Sequence, residues 1–570
     1  MENYSTRRKT LYTILFTVLA ALTALAFAKS LFISTDIDEG YALAVPYRMV
    51  KGDLLLRDMW EPHQFGGLLL YPFVALYLAM TGGTEGIVVA MRIVGILFHI
   101  LVGAAFCHVI KDQIPKENRI LLFFLHILFL PKWVQLPEFE LLEYWMILLT
   151  FVCLCKAAKS HGKTVRIFCF LGGVCTFAAA LSYPSLVLLY PIYVIGLLQV
   201  IREKRGIVVS AYTLGVIILG IILVSFLLTQ MTVSEMLYSL HQTGSDSAHS
   251  VPLGERFGFY LHQLIVPVLI SVLSVVVYLG LKYVGSRRNE NKVTLILPVI
   301  IAVTLCVAST IGMTLLRENM FYMQWKYLPI LVSVMIIAKT MRGERLVQNS
   351  IFQFLVLPSL VSVPCVLLLT NMNASVTCSK LFPAVLGALV LCAGNINDNQ
   401  KAQTAYVVVV LALSFPLLVC RLLLVRTTGC IHLTIAAPME RIQAGPEKGI
   451  WMLDTLADAH NANYSYLREQ LTEEDGLLYV GNESIYYLFS DAKISAASTQ
   501  GTSSFDELFL SYFDTHAGKY PTAIAVDKAL WTYPYYFFSA ETVEFISWIE
   551  EKYPYTHIRE SDYLILYTIE

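Results

Sequence analysis

The segment "GLLLYPFVALYLAMTG", residues 67–82, decides the fold. It is shorter than the roughly 20 residues a helix needs to cross a bilayer, and every later loop changes side according to whether it crosses. If it does, the basic loops "KDQIPKENR" (111–119) and "KSHGKTVR" (159–166) face the exterior. If it lies along the membrane surface, those two join "REKRG" (202–206), "KYVGSRRNENK" (282–292) and "KTMRGER" (339–345) on the side of Arg7, Arg8 and Lys9. Cytoplasmic loops carry the excess of Lys and Arg, so the surface path is the one expected.

Composition agrees with a membrane setting. Of 570 residues 56% are hydrophobic and only 15% charged, with a mean hydropathy of +0.63. This exceeds the apolar share of a soluble protein and leaves no basic surface for nucleic acid. Thirteen apolar stretches read as spans, the first at 11–33 and the last at 402–424. The first has no small-residue cleavage site and reads as an uncleaved span. Thirteen crossings put the N-terminus in the cytoplasm and the C-terminal tail outside a plasma membrane. Residues 440–570 hold 21 Asp or Glu against 8 Lys or Arg. In the tail, strand-like "GLLYVGN", "TAIAVD" and "YLILYTI" alternate with the helical patterns "IWMLDTLADA" and "TVEFISWIEE", which suggests a small α/β unit. It contains no Gly-rich nucleotide motif. The expected architecture is an α-helical polytopic membrane protein of about 13 transmembrane helices. Residues 1–428 form the membrane domain with a first outer loop at 34–85, and 429–570 form a small extracytoplasmic α/β domain. The eleven cysteines show no metal spacing and behave as small hydrophobes.

Two early outward loops and a later pair carry polar residues that anchoring does not require. The first, "TDIDEGYALAVPYRMVKGDLLLRDMWEPHQ" (35–64), holds six carboxylates, Asp36, Asp38, Glu39, Asp53, Asp58 and Glu61, with three cations and His63. Asp38 and Glu39 emerge beside the low-dielectric boundary, where a carboxylate is suited to act as a base or, paired, to hold a divalent metal ion. The plain alternative is a solvated acidic loop. The second, "PKWVQLPEFELLEYW" (131–145), supplies Glu138, Glu140 and Glu143, any of which also suits a helix start. The later loops, 239–257 and 317–329, offer His241, His249, Arg256, Arg317, Glu318, Lys326 and Tyr327. Outward cations oppose the positive-inside trend; a phosphate group accounts for them, as does snorkelling toward headgroups. Arg92 lies just inside a span, where a charge costs roughly 2.5–3.5 kcal/mol, and therefore faces a carboxylate partner or a ligand. Bases and phosphate-binding cations on one face suit glycosyl transfer from a lipid-borne phosphate donor to a hydroxyl.

At these residues the chain resembles the polytopic C-superfamily (GT-C) glycosyltransferases, in particular the branch of protein O-mannosyltransferases and lipid A aminoarabinose transferases. The resemblance lies in the acidic pair of "DIDEGYALAVPYRMVKGD", the "EP" of "WEPHQFGG", the Arg of "AMRIVG", the short acidic second loop, and "FLGGVCTFAAALSYPSLVLLYPIYVI" in place of a Gly-containing double half-span. It covers roughly residues 1–340. It implies a polyprenyl-phosphate-linked sugar as donor, a glycan, lipid or protein acceptor, and inverting transfer. It further implies Asp38 as general base with Glu39 beside it, Glu138 or Glu140 as the second-loop acid, and Glu61 and His241 near a metal or the phosphate. His63 stands where the aminoarabinose branch has a Lys, so His63, Arg92, Arg256 and Lys326 with Tyr327 are the donor-phosphate candidates. The rival readings are a polysaccharide polymerase or ligase, which favours one large late loop rich in Arg and His, and a lipid-linked sugar flippase or transporter, which places charges at mid-membrane.

Overall fold

The structure, a computed structural model, describes residues 2–34, 36–131, 135–201, 205–244, 253–285, 290–315, 323–340, 346–367, 377–394, 400–427, 430–499, 507–528, 547–548, 551 and 557–569. Among them, eight helices are long and apolar enough to cross a membrane and five further apolar helices are shorter. The helices that matter for the site are α1 (Glu2–Phe32), α2 (Ile37–Val50), α3 (Gln64–Thr81), α4 (Ile87–Val109), α5 (Lys116–Leu128), α6 (Phe139–Ala158) and α7 (Lys163–Ser182). They continue through α8 (Leu189–Val200), α9 (Arg205–Leu228), α10 (Val233–Gly244), α11 (Leu253–Gly285), α12 (Glu290–Leu315) and α13 (Met323–Thr340). The bundle ends with α14 (Leu357–Leu367), α15 (Phe382–Ala393) and α16 (Gln400–Leu423). Large apolar side chains remain exposed along α9 and α11, among them Ile221, Leu261, Leu269 and Leu273. A surface of that kind is unfavourable in water and matched to acyl chains.

Packing inside the bundle includes one polar lock. His99 on α4 and His126 on α5 each bring Nε2 to the other's backbone carbonyl at 3.0 Å. Trp145 Nε1–H donates to His99 Nδ1 at 2.7 Å, and the Tyr144 hydroxyl meets His126 Nδ1 at 2.6 Å. One proton on each Nε2 satisfies all four bonds with both rings neutral. The pair ties α4, α5 and α6 together and needs no charge.

Helix α2 begins on a reciprocal cap. The Asp36 carboxylate accepts from the Asp38 N–H at 3.1 Å, and the Asp36 N–H donates back to Glu39 at 3.4 Å, an arrangement that satisfies orphan donors of the first turn. Gly40 follows the acidic pair because a Cβ there would lie 2.7 Å from the Ile485 backbone nitrogen. The tail presses directly on the helix backbone at that point. Gly95 on α4 plays the same part for the second loop, since its Cβ would sit 1.8 Å from the Gln135 carbonyl oxygen.

Helix α3 contains the segment 67–82 and is long and apolar enough to span, yet both of its ends meet the tail. Before it, the Trp60 N–H donates to Ala497 O at 2.8 Å; after it, Thr84 Oγ1 donates to Leu488 O at 2.9 Å and the Gly86 N–H to Gly445 O at 2.9 Å. A crossing helix of about 27 Å would hold these ends on opposite sides of the membrane, where one small soluble unit cannot reach both. Its sides agree with a path in the plane: Gly66, Leu70 and Val74 are buried, while Phe73, Leu76 and Met80 are exposed in an apolar stripe suited to the acyl boundary.

The tail follows α16 through a hairpin of β1 (Leu424–Thr427) and β2 (Cys430–Leu433), then a second of β3 (Met439–Arg441) and β4 (Trp451–Leu453). Helix α17 (Asp454–Gln470) leads into a five-stranded sheet made of β5 (Gly476–Val480), β6 (Lys493–Ile494), β7 (Ala523–Asp527), β8 (His557–Glu560) and β9 (Leu564–Thr568). The order is β6-β5-β7-β9-β8, with β5 parallel to β6 and β7, and β9 antiparallel to both β7 and β8. Strands β5, β7 and β9 carry the three runs expected as strands. The pattern "IWMLDTLADA" is strand in its first part, at β4, and helix only from Asp454; the pairing of Met439 with Leu453 overrides the helical spacing. Most of "TVEFISWIEE" lies outside the described residues.

The path of α3 is open to labelling. A Gly83→Cys variant, whose side chain meets nothing within 4 Å, is expected to react with a membrane-impermeant maleimide in intact cells as readily as a cysteine placed at exposed Glu473 of the tail. Reaction at position 83 only after permeabilisation, with position 473 reactive before it, would make α3 a crossing helix.

Candidate active site

Arg48, which the sequence marks only as one of the first loop's cations, is fully buried and organises this region. Its Nε donates to Asp53 Oδ2 at 2.8 Å, Nη1 to Glu61 Oε1 at 2.8 Å, and Nη2 to the carbonyls of Asp58 at 2.9 Å and Ala496 at 3.0 Å. Burial alone would lower its proton affinity, and Asp53 and Glu61 outweigh that and raise it. Glu61 is completed from the tail, by Ser498 Oγ and the Thr499 N–H, both at 2.8 Å. Lys519 adds a second pairing to Asp53. Glu61, expected near a metal or the phosphate, has its oxygens joining loop to tail. His241, its expected companion, is exposed on α10. Among the described residues no three His, Cys, Asp or Glu are grouped to hold a metal ion.

The acidic pair divides. Glu39 receives Arg92 through both oxygens, with Nε at 2.8 Å from Oε1 and Nη2 against Oε2. The remaining Arg92 donors meet the carbonyls of Ser30 at 2.9 Å, Leu31 at 3.1 Å, and Ser34. These bonds use all five N–H groups of the guanidinium and cap the end of α1. Arg92 is thus a partner of Glu39 with no donor left for phosphate, which corrects its place among the phosphate ligands. Asp38, 8% exposed, stands on another face of α2. Helical spacing aligns it with Tyr41, Ala42 and Val45, which line a narrow cleft together with His63 and Glu138.

His63 and the second loop form the other wall. The His63 ring stacks on Phe139 at 3.8 Å and 2°, stands edge-on to Tyr183 at 5.2 Å, and brings Nδ1 to 3.3 Å from the Ser182 carbonyl. Glu138 caps α6, accepting from the N–H groups of Glu140 and Leu141 at 2.7 Å each. Glu140 accepts from the Tyr183 hydroxyl at 2.8 Å and from Lys380 Nζ at 2.9 Å, and Lys380 also pairs with Glu143. Lys380 is a residue that sequence reasoning missed; its signal was a lone cation opening an apolar run on the outward side. It neutralises second-loop charge, so Glu138, Glu140 and His63 come together here without an open cation. Arg256 lies apart, half-buried in the first turns of α11. Lys326 and Tyr327 belong to α13, and their side chains, with His249, Arg317 and Glu318, lie outside the described residues.

On the tail side of α2, His460 Nδ1 bonds Glu447, with Glu483 and Asp527 close by. Burial pushes Glu483 up to about 7; His460 opposes this, and Glu447, Asp36 and Asp527 reinforce it. Burial would depress His460, but Glu447 first, then Glu483 and Asp527, raise it.

No protein-family model and no curated protein matches the chain. A solved structure similar to it is the archaeal oligosaccharyltransferase AglB from Archaeoglobus fulgidus, in complex with an inhibitory peptide and a dolichol-phosphate. The two are 11% identical over 92% of this chain and 70% of that chain, with a TM-score of 0.41. Likeness at that level carries no conclusion about activity.

Two outcomes follow from these pairings. Glu39→Gln leaves Arg92 buried against a neutral partner and is expected to lower stability by about 3 kcal/mol, read as a fall in melting temperature, with Glu39→Gln/Arg92→Met partly restored. An unchanged melting temperature in the single variant would remove the pair's structural role. In the tail, Glu483 and His460 both keep protons in the folded state that the unfolded chain gives up. Stability is therefore expected to fall as pH rises from about 4.5 to 7 through Glu483, and above 6.5 through His460. Melting temperatures from pH 5 to 8 check this, and Glu483→Gln should flatten the lower part of the curve.

Proposed function

We propose that the chain is a membrane glycosyltransferase that moves a sugar from a polyprenyl-phosphate donor to an acceptor hydroxyl at the outer face of the membrane. The reading includes a cytoplasmic N-terminus and an extracytoplasmic tail. The observation that carries it is the division of the acidic pair. Glu39 is held by Arg92 and by the Asp36 N–H, while Tyr41, Ala42 and Val45, on the same α2 face as Asp38, line the cleft of His63 and Glu138.

In this mechanism Asp38 accepts the proton of the acceptor hydroxyl as its oxygen bonds to the anomeric carbon. The bond from that carbon to the lipid phosphate breaks on the opposite face, and the electron pair leaves with the phosphate, which gives inversion. Arg256 and Lys326, with Tyr327, are assigned to the departing phosphate, where fixed positive charge lowers the barrier most. His63, flat against Phe139, orients the sugar rather than carrying charge. The pairing of buried charges at helix ends, Arg92 beside the close of α1 and Lys380 before α15, supports this reading over a transporter, which needs them at mid-membrane.

Replacement of Asp38 by Asn is expected to reduce transfer by about 100-fold or more without lowering the melting temperature. In cells, one polyprenyl-phosphate sugar should then accumulate while that sugar disappears from one surface polymer, as read by mass spectrometry. Undiminished transfer by the Asn variant would overturn the assignment.

A further inference from the structure

Where the first loop, α10 and the tail meet there is a cavity of about 550 Å³ for which the transfer chemistry has no use. Its size falls in the range of about 300–1,000 Å³ typical of small-molecule sites. Trp60 lines it while being only 1% exposed, and its indole N–H has no hydrogen-bond partner among the described residues. Buried indole N–H groups ordinarily find an acceptor, so one beside a cavity points to a ligand that brings an oxygen. Tyr238 and His516 stand edge-on to Trp60, at 5.9 and 5.4 Å, and line the same space. Tyr238 is 42% exposed, a large aromatic surface left open on α10.

The polar lining narrows the class of ligand. Arg57, Glu235 and Gln230 place a guanidinium, a carboxylate and an amide around the aromatic rings. An acyl chain would leave these three groups unmatched, and a phosphate would meet the carboxylate as readily as the single Arg. A saccharide suits them all: its C–H faces pack on aromatic rings, and its hydroxyls donate to Glu235 and accept from Arg57, Gln230 and the Trp60 N–H. We propose that this cavity binds a short neutral oligosaccharide, the sugar chain of the acceptor. That the bound sugar is the acceptor rests on the transfer reading above; the binding itself does not.

The test uses the full chain in lipid nanodiscs, free of maltoside detergent, and saturation-transfer NMR with cellotetraose, maltotetraose, chitotetraose and mannotetraose. At least one should receive saturation at its ring C–H protons. Tyr238→Ala, a change at an exposed position, should weaken that binding about fivefold or more. Trp60→Phe should weaken it while keeping the ring, and Asp38→Asn should leave it intact. Binding of none of the four, or equal binding by Tyr238→Ala, would overturn the site. Normal transfer by a folded Tyr238→Ala that no longer binds would overturn the acceptor role alone.

Discussion

A guanidinium with no access to water must be surrounded by acceptors, and at Arg48 those acceptors come from two places in the chain. Asp53, Asp58 and Glu61 lie in the first loop, and Ala496 lies in the tail. Leaving such a charge unpaired in a low-dielectric interior is among the most costly defects a fold can carry. The loop and the tail therefore adopt one structure together. The contacts of both ends of α3 with the tail, the pressure of Ile485 on Gly40 and the cavity beside Trp60 all belong to that joint packing.

The division of the acidic pair shows how charge type and helix geometry assign roles. Adjacent residues on a helix are separated by about 100°, so Asp38 and Glu39 cannot share one partner. Arg92, placed inside a span, needs a carboxylate, and Glu39 is the one within reach while also closing the cap on Asp36. The side chain that looks redundant in the sequence is the one that holds Arg92.

Much of this was legible in the sequence wherever the signal is local. The alternation in "GLLYVGN", "TAIAVD" and "YLILYTI" marked strands. An Arg just inside a span marked a residue in need of a carboxylate partner or a ligand, without saying which. What was not legible depends on contacts distant along the chain. Lys380 meets Glu140 across 240 positions, and nothing in either neighbourhood names the other. Glu61 looked like an open ligand because its partners at 498 and 499 cannot be inferred from the first loop. The strand at Trp451–Leu453 was hidden by apolar spacing that a helix would share; only pairing with Met439–Arg441 distinguishes them.

The separation of Arg48 from Ala496 by 448 positions also bears on biogenesis. During synthesis the first loop is made long before the segment that finishes its interior. Until then a net acidic loop lacks the tail's contacts to Arg48 and Glu61. A nascent chain that ends between Leu423 and Ala496 carries the whole helical bundle and still lacks the tail's contacts to Arg48 and Glu61. Completion of the polypeptide thus becomes a condition for the site to exist at all.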